Sequence, residues 1–287
     1  MKEKSEKKGK ASLTFITAII ALGLAPAVSN TQILNDPANP YRFQAGIETG
    51  FVGILSHRIQ LGMNGTEFNY VEEGGQKNLF FFNRFTAEFH LGKRHELVFL
   101  YQPLNVVTED ILENNLIVDS LLFPAQTPME FRYGFDFYRA SYLYDFAKDP
   151  EREIAAGISF QIRNATISFA PKNGESLRLT QNIGPVPILK FRMKEPISNG
   201  TWLGLEADGF WADGRYITGS ANDFMGAIFD VSARYGFKLR PGIDSYINVR
   251  YLGGGARGTD ESIDSYGDGY TDNWLNTASL TLGFYMK

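Results

Sequence analysis

Residues 78–101, NLFFFNRFTAEFHLGKRHELVFLY, decide how the chain folds. Leu79, Phe81, Phe85, Ala87, Phe89 and Leu91 alternate with Arg84, Thr86, Glu88 and His90, the period of two that a strand imposes because successive side chains point to opposite faces. The polar residues Gly92 to His95 then turn the chain into a second strand ending at Tyr101. One face is greasy and the other charged. In a soluble sheet the phenylalanines would form a core; in a closed barrel in lipid they would face outward and the charges would face the lumen.

The same alternation recurs on both sides of this hairpin. It starts at Tyr41, with Phe43, Ala45, Ile47, Thr49 and Phe51 on one face, and continues through Ile59, Leu61 and Met63 to Asn64-Gly65, a dipeptide that favours a tight turn. A long hairpin projecting above the membrane explains this best; an extra pair of strands within residues 55–75 would raise the count from ten to twelve. Glu130 to Phe146 is aromatic-rich, and its apolar parity changes after Phe137, which predicts a β-bulge. Ile154 to Ile162 alternate cleanly up to a second parity change at Asn164. Further strands are predicted over 188–197, 201–211, 227–239, 243–251 and 274–286.

The amino terminus reads differently. MKEKSEKKGK is followed by an apolar run from Leu13 to Leu24 and then small residues, the anatomy of a cleaved signal peptide. The run falls short of the roughly 20 residues that a spanning helix needs. The predicted organisation is a signal peptide over 1–29, an irregular lead-in over 30–40 and one barrel domain over 41–287. The chain has no cysteine and a formal net charge of −4, which excludes disulfides, thiolate metal sites and a lipid-modified cysteine, and argues against nucleic acid as a partner. Beyond the signal segment no apolar run reaches 18 residues, so any membrane crossing must be made by strands.

Connection lengths separate lipid from water. Short turns at 92–95, 147–153, 198–200 and 240–242 alternate with longer connections at 104–129, 170–187, 212–225 and 253–273. Tyr101, Tyr133, Tyr144, Trp202, Trp211, Tyr251 and Trp274 fall near strand ends, where interfacial girdles need them. With its last strand SLTLGFYMK (279–287), which looks like a carboxy-terminal insertion signal, the chain resembles the outer-membrane β-barrel proteins. The expected fold is all-β, a transmembrane antiparallel up-and-down barrel of ten strands. The resemblance implies the bacterial outer membrane as location, and outer-membrane lipid and the barrel-assembly machinery as partners.

With the apolar face toward lipid, the expected lumen carries Arg84, Glu88, Glu130, Arg132, Asp136, Arg163, Lys190, Arg192, Lys194, Glu206, Asp208, Asp230, Arg234, Lys238, Asn248 and Arg250. Two arrangements suit this mixture. One is an interior cross-linked by ion pairs, because unpaired charges removed from water are costly; the other is a hydrated pore for small solutes, favouring anions beside Lys190, Arg192 and Lys194. Only three histidines exist, and His57 is the candidate catalytic base if the barrel is instead a lipid-modifying enzyme. A receptor or adhesin working through 104–129 and 253–273 is the third reading. No cofactor is implied. Asp264, Asp268 and Asp272 lie in a flexible acidic loop that could offer oxygen ligands to calcium, although their spacing does not match a helix-loop-helix site.

Overall fold

The computed structural model describes residues 40–147, 149, 151–174, 178–198, 200–213, 225–259 and 267–287, with backbone alone at 163–164 and 179–185. The predicted signal peptide, the lead-in up to residue 39, and Asp264 lie outside the described residues. The strands are β1 (Tyr41–Leu61), β2 (Phe68–Asn69), β3 (Leu79–Leu91), β4 (His95–Gln102), β5 (Asn105–Ile111), β6 (Leu116–Val118) and β7 (Leu121–Phe123). They continue with β8 (Pro128–Asp145), β9 (Glu153–Pro171), β10 (Arg178–Ser198), β11 (Thr201–Asp213), β12 (Met225–Arg240), β13 (Ile243–Thr259) and β14 (Tyr270–Met286).

The long strands pair antiparallel in order, and β14 pairs back on β1 from Ala45↔Met286 to Leu61↔Thr271, closing the barrel. β4 and β5 both pair with β8 and form one interrupted stave. β2 is a two-residue return against the outer end of β1. The barrel therefore has ten staves, and the twelve-strand alternative does not arise. A closed barrel leaves no unpaired edge in lipid. The short turns share one end with both ends of the barrel sequence, and Gly92, Gly200 and Gly242 turn there at φ of +65°, +78° and +77°, values that cost glycine nothing.

Several connections are shorter than the sequence suggested. Within 170–187, β9 runs to Pro171 and β10 resumes at Arg178; within 253–273, β13 runs to Thr259 and β14 resumes at Tyr270. These strands continue above the membrane as a projecting sheet. β14 has 17 residues, whereas 9–11 tilted residues suffice to cross a bilayer. Its lower outward positions, Ala278, Leu280, Leu282, Phe284 and Met286, are apolar, and the next ones out are Asn276, Trp274 and Asp272.

The predicted bulge near Phe137 and the parity change at Asn164 are both corrected. β8 and β9 keep one register from Met129↔Pro171 to Asp145↔Ala155, so one parity faces inward wherever their side chains are described. What reverses is the medium outside. In the lower part Arg139 and Ser141 are inside while Tyr138 and Tyr142 are exposed; in the upper part Phe131, Tyr133 and Phe137 are buried inside while Glu130 and Arg132 meet water. The register does shift elsewhere, between Ile54 and Ser56 of β1.

The apolar core lies inside the outer half of the barrel. Phe68 and Tyr70, from the segment after β1, pack on Phe131, Tyr133 and Phe169, with Phe68 and Phe131 ring centroids 4.9 Å apart. The β6–β7 hairpin adds Leu116, Val118 and Phe123 from above. At the opposite end Trp202, Tyr246 and Tyr285 form an aromatic floor, with centroid separations of 5.8 and 5.0 Å. Two glycines make room for it: a Cβ on Gly236 would stand 2.1 Å from the Trp202 ring, and one on Gly283 would stand 2.1 Å from Tyr246. Gly236→Val should lower stability by about 1–3 kcal/mol through overpacking, read as an earlier urea midpoint. Adding Trp202→Ala should recover part of the loss, and purely additive losses would show that the ring contact is not the cause.

Candidate functional site

The region between the two aromatic layers is where the alternation places charge. A strand that shows leucine and phenylalanine to lipid must turn its other residues inward, and here those are glutamate, aspartate, arginine and lysine from facing staves. Glu48 of β1 accepts hydrogen bonds from Tyr246 Oη at 3.2 Å, Asn248 Nδ2 at 3.0 Å and Thr281 Oγ1 at 3.2 Å, and lies 3.6–4.0 Å from the guanidinium groups of Arg84, Arg234 and Arg250. Asp230 pairs with Arg250 at 3.1 Å, Arg139 at 3.2 Å and Arg84 at 3.6 Å. Asp208 holds Arg139 at 2.9 Å and Lys190 at 3.0 Å. Glu206 joins Lys190 and Arg234, and Arg192 gathers Glu88, Glu96 and Glu153 nearer the short-turn end.

These bonds cross the barrel. Arg139 on β8 reaches Asp230 on β12, and Arg192 on β10 reaches Glu96 on β4. One void, lined by Arg84, Glu88, Arg139, Lys190, Arg192 and Glu206 among others, has about 10 Å³, roughly the room one water needs. Removing one partner leaves buried opposite charges uncompensated, a loss of about 3–5 kcal/mol. Glu48→Ala should therefore destabilise the barrel by about that amount in urea titrations, and a change below about 1 kcal/mol would mean that water already serves these arginines.

The predicted lumen residues divide by position. Arg84, Glu88, Lys190, Arg192, Glu206, Asp208, Asp230, Arg234, Asn248 and Arg250 are buried inside. Lys194 is part-exposed at the short-turn end, 3.8 Å from Asp244 and 4.8 Å over the Trp202 ring. Four assignments change. Glu130 and Arg132 are exposed on the outer surface of the projecting sheet, and Asp136 shares their outward parity. Lys238 sits at the rim, exposed and paired with Glu151 at 3.0 Å. The Arg163 side chain lies outside the described residues. Glu48, Glu96, Arg139 and Glu153 join the network without having been singled out, although simple alternation along β1, β4, β8 and β9 carries each of them.

The other described candidates, His57, Asp268 and Asp272, each have partners of their own. His57 lies above Leu55, the last outward apolar residue of β1, and is fully buried. Its ring stacks on Tyr70 at 4.2 Å, meets Tyr133 edge-on at 4.2 Å, and its Nδ1 is 2.9 Å from Gln76 Oε1. Ser56 faces the other way and accepts a hydrogen bond from Asn276 Nδ2 at 2.8 Å. Asp268 accepts from the Met63 and Tyr270 amides, and Asp272 pairs with Arg257 at 3.6 Å. Among the described residues no cluster of three or more carboxylates or histidines suits a metal.

Burial pushes the His57 imidazole from 6.5 down to about 4, because the charged form loses its water. A depressed pKa contributes stability that is complete above 6.5 and is lost as pH falls toward 4, at most about 3 kcal/mol. Hydrogen exchange in residues 66–77 should therefore accelerate between pH 6.5 and 4, and His57→Gln should remove that dependence. An equal slope in the variant would assign the effect to other groups.

No family model and no curated protein matches the chain. Solved structures do. The outer membrane protease OmpT from Escherichia coli is similar over 85% of this chain and 96% of its own, with TM-score 0.50 and 10% identity. Neisserial surface protein A aligns with 87% of this chain and 99% of its own at TM-score 0.34 and 9% identity. The transport unit of the autotransporter AIDA-I from Escherichia coli aligns with 88% and 92% at TM-score 0.41 and 11% identity. At such identities the likeness is one of fold, and the fold is the outer-membrane β-barrel.

Proposed function

We propose that this barrel works in the bacterial outer membrane as a closed, non-conducting body that acts through its outer surface and projecting sheet, as a structural or surface-exposed barrel. One observation carries the reading: among the described residues the interior holds aromatic rings at the short-turn mouth, crossed ion pairs in the middle and an apolar core at the outer mouth. Ions would have to break buried charge pairs at several kcal/mol each to pass. The basic trio Lys190, Arg192 and Lys194 is engaged by carboxylates and offers no free anion path.

Catalysis through His57 has less support, since a general base must come within hydrogen-bond reach of its substrate and this ring lies under Tyr70 and Tyr133. A receptor or adhesin role fits the same closed barrel. Its binding surface would not be the whole of 104–129, because Leu104, Val106, Leu112, Leu116, Val118 and Phe123 are part of the outer core. Planar-bilayer recording on the refolded full chain tests the reading. The expected result is a sealed membrane with no unitary steps under applied voltage; reproducible channel openings would overturn it.

A further inference from the structure

Outside the barrel, at the level where the apolar band ends, β1 and β14 enclose a groove of about 300 Å³, the lower end of the size range of ligand pockets. It follows the β1 register shift between Ile54 and Ser56, which re-aims Ser56, Arg58 and Gln60 outward across from Asn276, Trp274 and Asp272. The Trp274 ring packs against Gly255, where a Cβ would stand 2.7 Å from it. No ring or cation stacks on it among the described residues.

Part of the polar rim around the ring is held by its own hydrogen bonds. Asn276 donates to Ser56 Oγ at 2.8 Å and accepts from Tyr251 Oη at 2.7 Å, the latter pair lying over Gly253. Arg58 and Glu67 stand as an exposed pair 3.5 Å apart on the opposite wall. Asp272 also lines the groove, its Oδ1 buried and without a hydrogen-bond partner among the described residues. An aromatic plate with a hydrogen-bonded amide and hydroxyl beside it and carboxylate and guanidinium groups around it suits a sugar, which has an apolar C–H face and a rim of hydroxyls that donate and accept.

We infer that this groove binds a sugar ring of a glycolipid headgroup in the outer leaflet, the ring stacking on Trp274. Location decides the source of the sugar. The next residues toward the membrane on both strands, Leu55 and Ala278 followed by Leu280, belong to the outward apolar band, so acyl chains lying on that band bring their headgroups to the groove. The inference rests on the barrel's standing in the outer membrane and is independent of whether its lumen conducts.

The test uses the refolded full chain in detergent, titrated with deep-rough lipopolysaccharide and, separately, with phosphatidylethanolamine–phosphatidylglycerol mixed micelles; circular dichroism confirms that each variant is folded. Trp274→Ala and the milder Asn276→Ala should each weaken lipopolysaccharide binding at least tenfold. Trp211→Ala, which removes another outward, exposed tryptophan, should leave it within twofold, and the sugar-free phospholipid should not compete. Wild-type affinity in both groove variants would overturn the assignment. An equal loss in Trp211→Ala, or full competition by phospholipid, would also overturn it by showing general interfacial anchoring. Channel openings in the bilayer recording would leave it standing.

Discussion

Charges enclosed in a low-dielectric tube must find one another, and the rest of the structure depends on how they do. A ten-stave barrel is narrow enough for an arginine on one wall to reach a carboxylate on the opposite wall, as Arg139 reaches Asp230 and Arg192 reaches Glu96. In a wider barrel the same residues would be separated by water. Here each bond ties staves that are distant in sequence, so the network fixes the barrel's cross-section as well as neutralising its interior. Glu48 by itself ties together six side chains, with hydrogen bonds to Tyr246, Asn248 and Thr281 and the guanidinium groups of Arg84, Arg234 and Arg250 within 4.0 Å.

The two apolar layers protect that network. Water reaching the middle from either mouth would raise the local dielectric and weaken every pair in it. The floor of Trp202, Tyr246 and Tyr285 packs across one end using glycines as seats, because a ring cannot overlie a strand that already carries a side chain at the same height. The outer core fills part of the other end with residues borrowed from the connections. Phe68, Tyr70, Leu116 and Phe123 come from segments that would otherwise be loops, so the long connections are structural parts of the barrel.

Much of this was legible in the chain. The alternation over residues 78–101 gave the faces of β3 and β4 correctly, and the order of short and long connections gave ten staves and their direction. The length of the staves was not legible in the same way. Above the membrane a strand needs no continuous apolar face, so 253–259 and 178–187 read as loop while they form sheet. Trp202, Tyr246 and Tyr285 were also hidden, since an aromatic residue near a strand end suits an interfacial girdle on the outside as well as a floor on the inside. The glycines opposite them, Gly236 and Gly283, are the signal that separates the two, but their pairing is visible only once the register is known.

β8 shows why parity misled and what it measures. Phe131, Tyr133, Phe135 and Phe137 share a parity with Arg139 and Ser141, and Glu130 and Arg132 share one with Tyr138 and Tyr142. Read as one medium against one core, this demands a bulge. Read as a strand passing out of lipid into water, it demands none: below the boundary the apolar residues must be outside and charge can be enclosed, while above it charge belongs outside and the interior becomes an ordinary apolar core. The unshifted pairing of β8 with β9 supports the second reading. In such barrels a reversal of hydropathy without a break in register marks the water line, and on β8 it falls between Asp136 and Tyr138.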